Sequence, residues 1–139
     1  MTRFVLDASV PLRWFLDNPV PAYANRIRQL LVAGARAVVP ALWHLEMANT
    51  LAVAERRGIL AAADVDLSLS DIERLLGQCI DSEPAGISVR QVLETARLFQ
   101  LSAYEAVYLD SARRGRLPLA TLDAKLRAAA SKAGVPLVR

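Results

Sequence analysis

Two short, wholly apolar runs, Phe4-Val5-Leu6 and Ala37-Val38-Val39, each lead into a polar residue or proline and then a helical pattern, and nothing else constrains this chain as much. A strand covered on both faces is apolar without alternation, as in a parallel sheet. Parallel neighbours need long crossovers, which helices supply. The spacing along the chain matches that requirement. After Asp7, Ser9 stands where it would cap a helix with Pro11 in its first turn, and the Asp-Asn-Pro at 17–19 closes it. A second helix is predicted over 21–32, stopped by Gly34, and the second strand ends at Pro40.

The stretch 41-ALWHLEMANTLAVAERRG-58 has helical periodicity, basic residues in its last turn and a terminal glycine. Between Ile59 and Ile80 the pattern predicts a helix opening near Ser70, then a loop through DSEPAG at 81–86. Ser88 with Gln91, and Ser102 with Glu105, have capping-box spacing and open two more helices. A strand is expected over 117–123, a helix over 124–132 ended by Gly134, and a last strand over 135–138. Together these predict one α/β domain over 1–139, with a mainly parallel central sheet and right-handed crossovers. In such sheets ligands collect at the carboxyl ends of the strands, where Asp7 and Asp123 both fall.

Composition narrows the function classes. Apolar residues form 54% and charged residues 22% of the chain, yet no apolar run reaches the ~18 residues of a membrane span. No basic leader with an apolar core opens it, so a cytoplasmic protein is expected. The single cysteine, Cys79, excludes an internal disulfide and a multi-cysteine metal site. The net charge of +3 is compatible with a polyanionic partner, and the high apolar content suggests a surface covered by a protein partner.

Among the 14 acidic residues, Asp7, Glu46, Glu105 and Asp123 are poorly explained by a solvated surface. At about 100° per residue, Glu46 shares a helix face with Leu42, Trp43, Asn49, Thr50 and Val53. The same count puts Glu105 beside Tyr108, Leu109 and Ala112, and sends Asp110 about 140° away toward Arg113 and Arg114 as a surface ion pair. Each of the four has a simpler alternative role. Asp7 can be a turn residue, Asp123 a helix cap and Glu105 half of a capping box, while Glu46 has no capping role and would need a lone arginine partner.

Gathered carboxylates repel and lose hydration, so a cluster of them calls for a cation. Oxygen-only donors suit Mg²⁺ or Mn²⁺. The lone histidine, His44, falls about 160° from Glu46 on the same helix and is read as a surface or packing residue, which disfavours zinc and removes any histidine-based triad. Divalent ions held by carboxylates suit hydrolysis of phosphodiesters. Arg13, Lys125 and Arg127, shortly after Asp7 and Asp123, are candidate phosphate contacts.

The motifs FVLDASV with Asp7, PALWHLEMANTLAVAERRG with Glu46 and Asn49, LSAYEAVYL with Glu105, and LPLATLDAKL with Thr121 and Asp123 resemble the PIN-domain ribonucleases. The nearest resemblance is to the VapC toxins of type II toxin–antitoxin modules, from about residue 3 to residue 138. It implies a three-layer α/β/α domain and an Mg²⁺- or Mn²⁺-dependent endoribonuclease that cuts single-stranded or looped RNA. It also implies a homodimer held inactive by a small antitoxin. Carried over by position, Asp7, Glu46 and Asp123 match the acidic, metal-binding catalytic set, with Ser9, Asn49 and Thr121 as supporting polar groups. The toxins usually carry Asp in the AYDA position, where this chain has AYEA, so Glu105 departs from the pattern by one methylene. A second reading follows from that departure: a weakly active or inactive PIN domain that binds RNA or an antitoxin. A phosphoryl-transfer domain using Asp7 as nucleophile fits less well, because Ser9 stands where such enzymes commonly place a second Asp.

Overall fold

The computed structural model describes residues 2–84 and 86–139. Four strands, β1 (Arg3–Leu6), β2 (Arg36–Val39), β3 (Ile80–Ser82) and β4 (Leu119–Ala120), form one parallel sheet in the order β3-β2-β1-β4. Seven helices lie around it among the described residues: α1 (Pro11–Leu16), α2 (Ala22–Val32), α3 (Ala41–Arg56), α4 (Ala62–Gln78), α5 (Val89–Phe99), α6 (Ala103–Gly115) and α7 (Ala124–Ala133). This is the α/β fold expected, with a parallel sheet flanked by helices. Phe4, Val5, Leu6, Ala37 and Val39 are buried, and they join Ile27, Trp43, Tyr108 and Leu126 in the main core. The unbroken apolar runs arise from that two-sided cover. Among the described residues, no helix is long and apolar enough to cross a membrane.

The strand order positions the site. From β1 the chain builds outward to β2 and β3, then returns to place β4 on the other side of β1. The direction of winding therefore reverses between β1 and β4, and at such a switch point the connections leave a crevice beyond the carboxyl ends of the strands. Asp7 immediately follows β1, and Thr121 to Asp123 follow β4.

Several local expectations are corrected. Helix α4 begins at Ala62, not near Ser70, because Ser68 and Ser70 turn their hydroxyls back onto the carbonyls of Asp64 and Asp66 (2.9 and 3.2 Å) and so sit inside a helix they were expected to open. Within the 81–86 loop prediction, Asp81 and Ser82 belong to edge strand β3; Ala85 lies outside the described residues. The short, half-exposed strand is joined to β2 by backbone pairing and by Arg36, which grips Asp81 through two bonds of 2.9 and 2.6 Å. Strand β4 is far shorter than 117–123, and the last predicted strand contributes only a bridge between Leu119 and Leu137. Pro118 and Pro136 remove backbone donors from these two segments. Ser9 does not cap α1, whose N-cap is Val10; its hydroxyl is engaged elsewhere.

Candidate active site

At the carboxyl end of β1, Asp7 is 7% exposed, a position where a carboxylate needs compensation. Its Oδ2 accepts from two hydroxyls, Ser9 Oγ and the fully buried Thr121 Oγ1, each at 2.6 Å. Each hydroxyl also accepts a backbone N–H from the loop after β4: Leu122 N–H donates to Ser9 (3.0 Å) and Asp123 N–H to Thr121 (3.0 Å). These bonds tie the ends of β1 and β4 together and fix the orientation of Asp7. Asp123 then N-caps α7, its Oδ1 accepting from Leu126 N–H at 2.8 Å.

Glu46 enters from the second turn of α3, which starts directly after β2. Tyr108 of α6 donates its hydroxyl to Glu46 Oε1 at 2.5 Å. Glu105 lies in the first turn of the same helix, in a complete capping box. Its Oε1 accepts from Ser102 Oγ (2.8 Å) and Ser102 N–H (3.4 Å), while Oε2 is buried with no hydrogen-bond partner. A buried carboxylate oxygen without a donor is costly unless a cation or proton meets it.

All four acids line one cavity of about 240 Å³, with Ser9, Thr50, Tyr104 and Tyr108 among its other walls. Segments far apart in the chain thus converge on one place. The carboxylates also sense one another. Burial pushes the Asp7 carboxyl above its ordinary value, the Ser9 and Thr121 bonds oppose the rise, and the Asp123 charge adds to it. Glu46 is raised likewise, first by burial and then by the Asp7 charge, against the opposing bond from Tyr108. Tyr108 is raised by burial and by its bond to Glu46, so the phenol remains a donor. Like charges sharing a half-buried pocket form a site whose ionised form is stabilised by added positive charge.

The donor set fits a hard divalent cation. It is built from carboxylate and hydroxyl oxygens, and it includes the unpartnered Glu105 Oε2. Among the described residues no three His, Cys, Asp or Glu side chains are grouped tightly enough to hold an ion as they stand. Mg²⁺ asks for fewer protein ligands than such a group, since it keeps several of its waters and takes one or two carboxylates directly. The donor set does not suit zinc: His44 bonds to Ser82 Oγ (2.7 Å) and packs edge-on against Trp43, outside the cavity, and Cys79 sits half-buried beside β3.

The remaining sequence candidates fall around this centre. Ser9 and Thr121 hold Asp7, as described. Asn49 is exposed and lines a neighbouring apolar cavity that shares only Thr50 with the acidic one. Arg13 pairs with Asp17 at 2.9 Å, and Arg127 donates to the Thr121 carbonyl at 2.6 Å while lying over the Tyr23 ring; Lys125 is exposed in the first turn of α7. Asp110 does pair with Arg114 (2.8 Å) but is only 9% exposed, so it is no surface residue. Gln91, Glu94 and Thr95 of α5 flank the same cavity as Asp110, covering a face that counting along an isolated helix leaves to solvent. Arg113 instead lies over Phe99. Sequence reasoning missed the part of Tyr108, although its spacing from Glu105 placed it on the same face of α6.

Asp123 combines two roles that substitution can separate. Asp123→Ala should lower stability by about 1 kcal/mol through loss of the α7 cap, whereas Asp123→Asn should keep most of it. Thermal melts of both variants without added metal check this; equal losses would remove the cap from the account.

No family model and no curated protein sequence matches the chain. Solved structures do match it in fold. The crystal structure of FitAcB from Neisseria gonorrhoeae superposes with a TM-score of 0.69 at 16% identity, covering 98% of this chain and 96% of that one. VapBC2 from Rickettsia felis, crystallised bound to a DNA fragment from its promoter, gives 0.67 at 10% identity over 99% and 98%. PAE2754 from Pyrobaculum aerophilum gives 0.67 at 22% identity over 92% and 79%. At these identities the likeness is one of fold.

Proposed function

We propose that this protein is an Mg²⁺- or Mn²⁺-dependent endoribonuclease acting as the toxin of a type II toxin–antitoxin module. The observation that carries the reading is the convergence of Asp7, Glu46, Glu105 and Asp123 on one cavity at the switch point of the sheet, with Glu105 Oε2 buried and unpartnered. The fold shared with VapBC2 and FitAcB supports it, as does the resemblance of the four acid-bearing motifs to VapC toxins. A small antitoxin as partner, RNA as substrate and a homodimeric state belong to the same proposal.

Asp7, Glu46, Glu105 and Asp123 are the residues from which the ion would draw its one or two direct carboxylates. When bound, a divalent ion supplies a nucleophile at neutral pH and stabilises the charge that develops on the leaving oxygen. The protein's own groups prepare the place: Ser9 and Thr121 orient Asp7, Tyr108 orients Glu46, and Ser102 holds one Glu105 oxygen while the other is left without a donor. Such outer bonds fix ligands and tune their basicity.

A second reading also has an observation in its favour. Because Glu105 Oε1 is committed to its capping box and, among the described residues, no three acids are grouped tightly, the domain is compatible with weak metal binding and a role in binding RNA or an antitoxin. Calorimetric titration with Mn²⁺ separates the two. The nuclease reading expects saturable binding, cleavage of single-stranded RNA with Mg²⁺ or Mn²⁺, and none in EDTA; absence of both binding and cleavage in the wild-type protein would leave only the binding module.

A further inference from the structure

Among the described residues, Tyr104 is the only exposed aromatic side chain. The others are buried or half-buried, while Tyr104 is 65% exposed and also forms part of the wall of the acidic cavity. It occupies the first turn of α6, directly before Glu105, and Tyr108 one turn later lies inside the same cavity. The two tyrosines are therefore put to opposite uses by one helix. Tyr108 is 1% exposed and its hydroxyl is spent on Glu46, whereas the Tyr104 ring stands in water at the mouth.

At the wall of the acidic cavity, the exposed ring offers a flat, apolar face to whatever approaches the carboxylates. Tyrosine has few rotatable bonds, so covering it costs little ordering entropy. An unpaired nucleobase offers a π-face to stack on such a ring, and base–aromatic stacking is the usual way that single strands are held without reading sequence. We infer that Tyr104 is the stacking platform for an unpaired base of the RNA, next to the phosphate that enters the acidic cavity. The inference rests on the nuclease reading for its substrate class and adds to it a residue, a position and a reason for preferring unpaired RNA: a base inside a duplex has both faces covered by its neighbours.

The test uses the full chain and a labelled single-stranded oligoribonucleotide, with fluorescence anisotropy in Ca²⁺ and cleavage kinetics in Mn²⁺. Tyr104→Ala should weaken binding roughly tenfold, while Tyr104→Phe, which keeps the ring, should bind like wild type. The Kd for Mn²⁺ should be the same in all three proteins, and in cleavage the Ala variant should lose through KM more than kcat. One abasic substitution in the oligonucleotide should make wild type and Tyr104→Ala equal. Wild-type-like binding by Tyr104→Ala overturns the inference and leaves the ring as a contact for a protein partner. An equal loss on duplex and single-stranded RNA, or no binding of RNA by the wild type, overturns it too. A wild-type protein that binds the oligonucleotide through Tyr104 but cuts nothing in Mn²⁺ would sink the nuclease reading and keep the stacking site.

Discussion

Asp7→Ala should reduce RNA cleavage by at least about 100-fold, since even partners of a metal ligand typically cost 10- to 100-fold when removed. The expected loss is large because Asp7 lies at the centre of the arrangement. It receives both hydroxyls that join the ends of β1 and β4, and its charge acts on Glu46. Asp7→Asn provides the sharper variant, since it preserves size and can keep accepting from Ser9 and Thr121 while removing the negative charge. Cleavage and Mn²⁺ binding should both collapse in Asp7→Asn with the fold intact; cleavage at the wild-type rate would show that the chemistry happens elsewhere.

The same residue sets the sign of a pH effect. The folded pKa values of Asp7 and Glu46 are raised, mainly by burial, above the ordinary values of 3.8 and 4.5. At a pH between the unfolded and folded values, the folded protein therefore binds more protons than the unfolded chain, and stability falls as pH rises. The stabilising contribution of these two groups is complete below their unfolded values and lost as pH climbs through the folded ones. Metal-free protein should accordingly melt higher in mild acid than at neutral pH, with the dependence reduced in Asp7→Asn. Added Mn²⁺ should reverse the trend near neutrality, because an ion binds the ionised carboxylates and competes with protons.

How much of this was legible beforehand depends on whether a feature is local. The apolar runs of β1 and β2 identified a parallel sheet because burial on both faces leaves a mark in the residues themselves. Edge strand β3 left none: it is three residues long, and only Ile80 is buried. Asp7, Glu46, Glu105 and Asp123 could be chosen one at a time by position along a strand or helix, and they do line a common cavity. What no period shows is which groups complete one another across the fold. The Tyr108–Glu46 bond spans 62 residues and the Thr121–Asp7 bond 114, so both depend on the order in which strands and helices pack. The cover that α5 gives Asp110 is of the same kind, and a helical count around α6 alone sends that residue to solvent. Local alternatives were also less exclusive than they looked. Asp123 caps α7 and Glu105 closes its capping box, yet each remains on the cavity wall, since a carboxylate has two oxygens to spend.

Glu105 gives the other large effect, and its two conservative substitutions should move in opposite directions. Glu105→Gln keeps an acceptor for Ser102, so the capping box survives in part, but it replaces the negative charge at the buried, unpartnered oxygen with an amide. If that oxygen meets a cation, cleavage should fall by roughly 10- to 100-fold or more, with a matching loss of Mn²⁺ affinity and little change in Tm. Glu105→Asp retains the charge and draws it back by one methylene, toward the length usual in the resembled toxins. Activity should then hold or rise, while the shorter side chain loosens the reciprocal bond to Ser102 N–H, already long at 3.4 Å, and costs a little helix stability. The pair is decisive because a purely structural Glu105 predicts the reverse: Gln, which can still cap, would be benign in every assay, and Asp would be the damaging change.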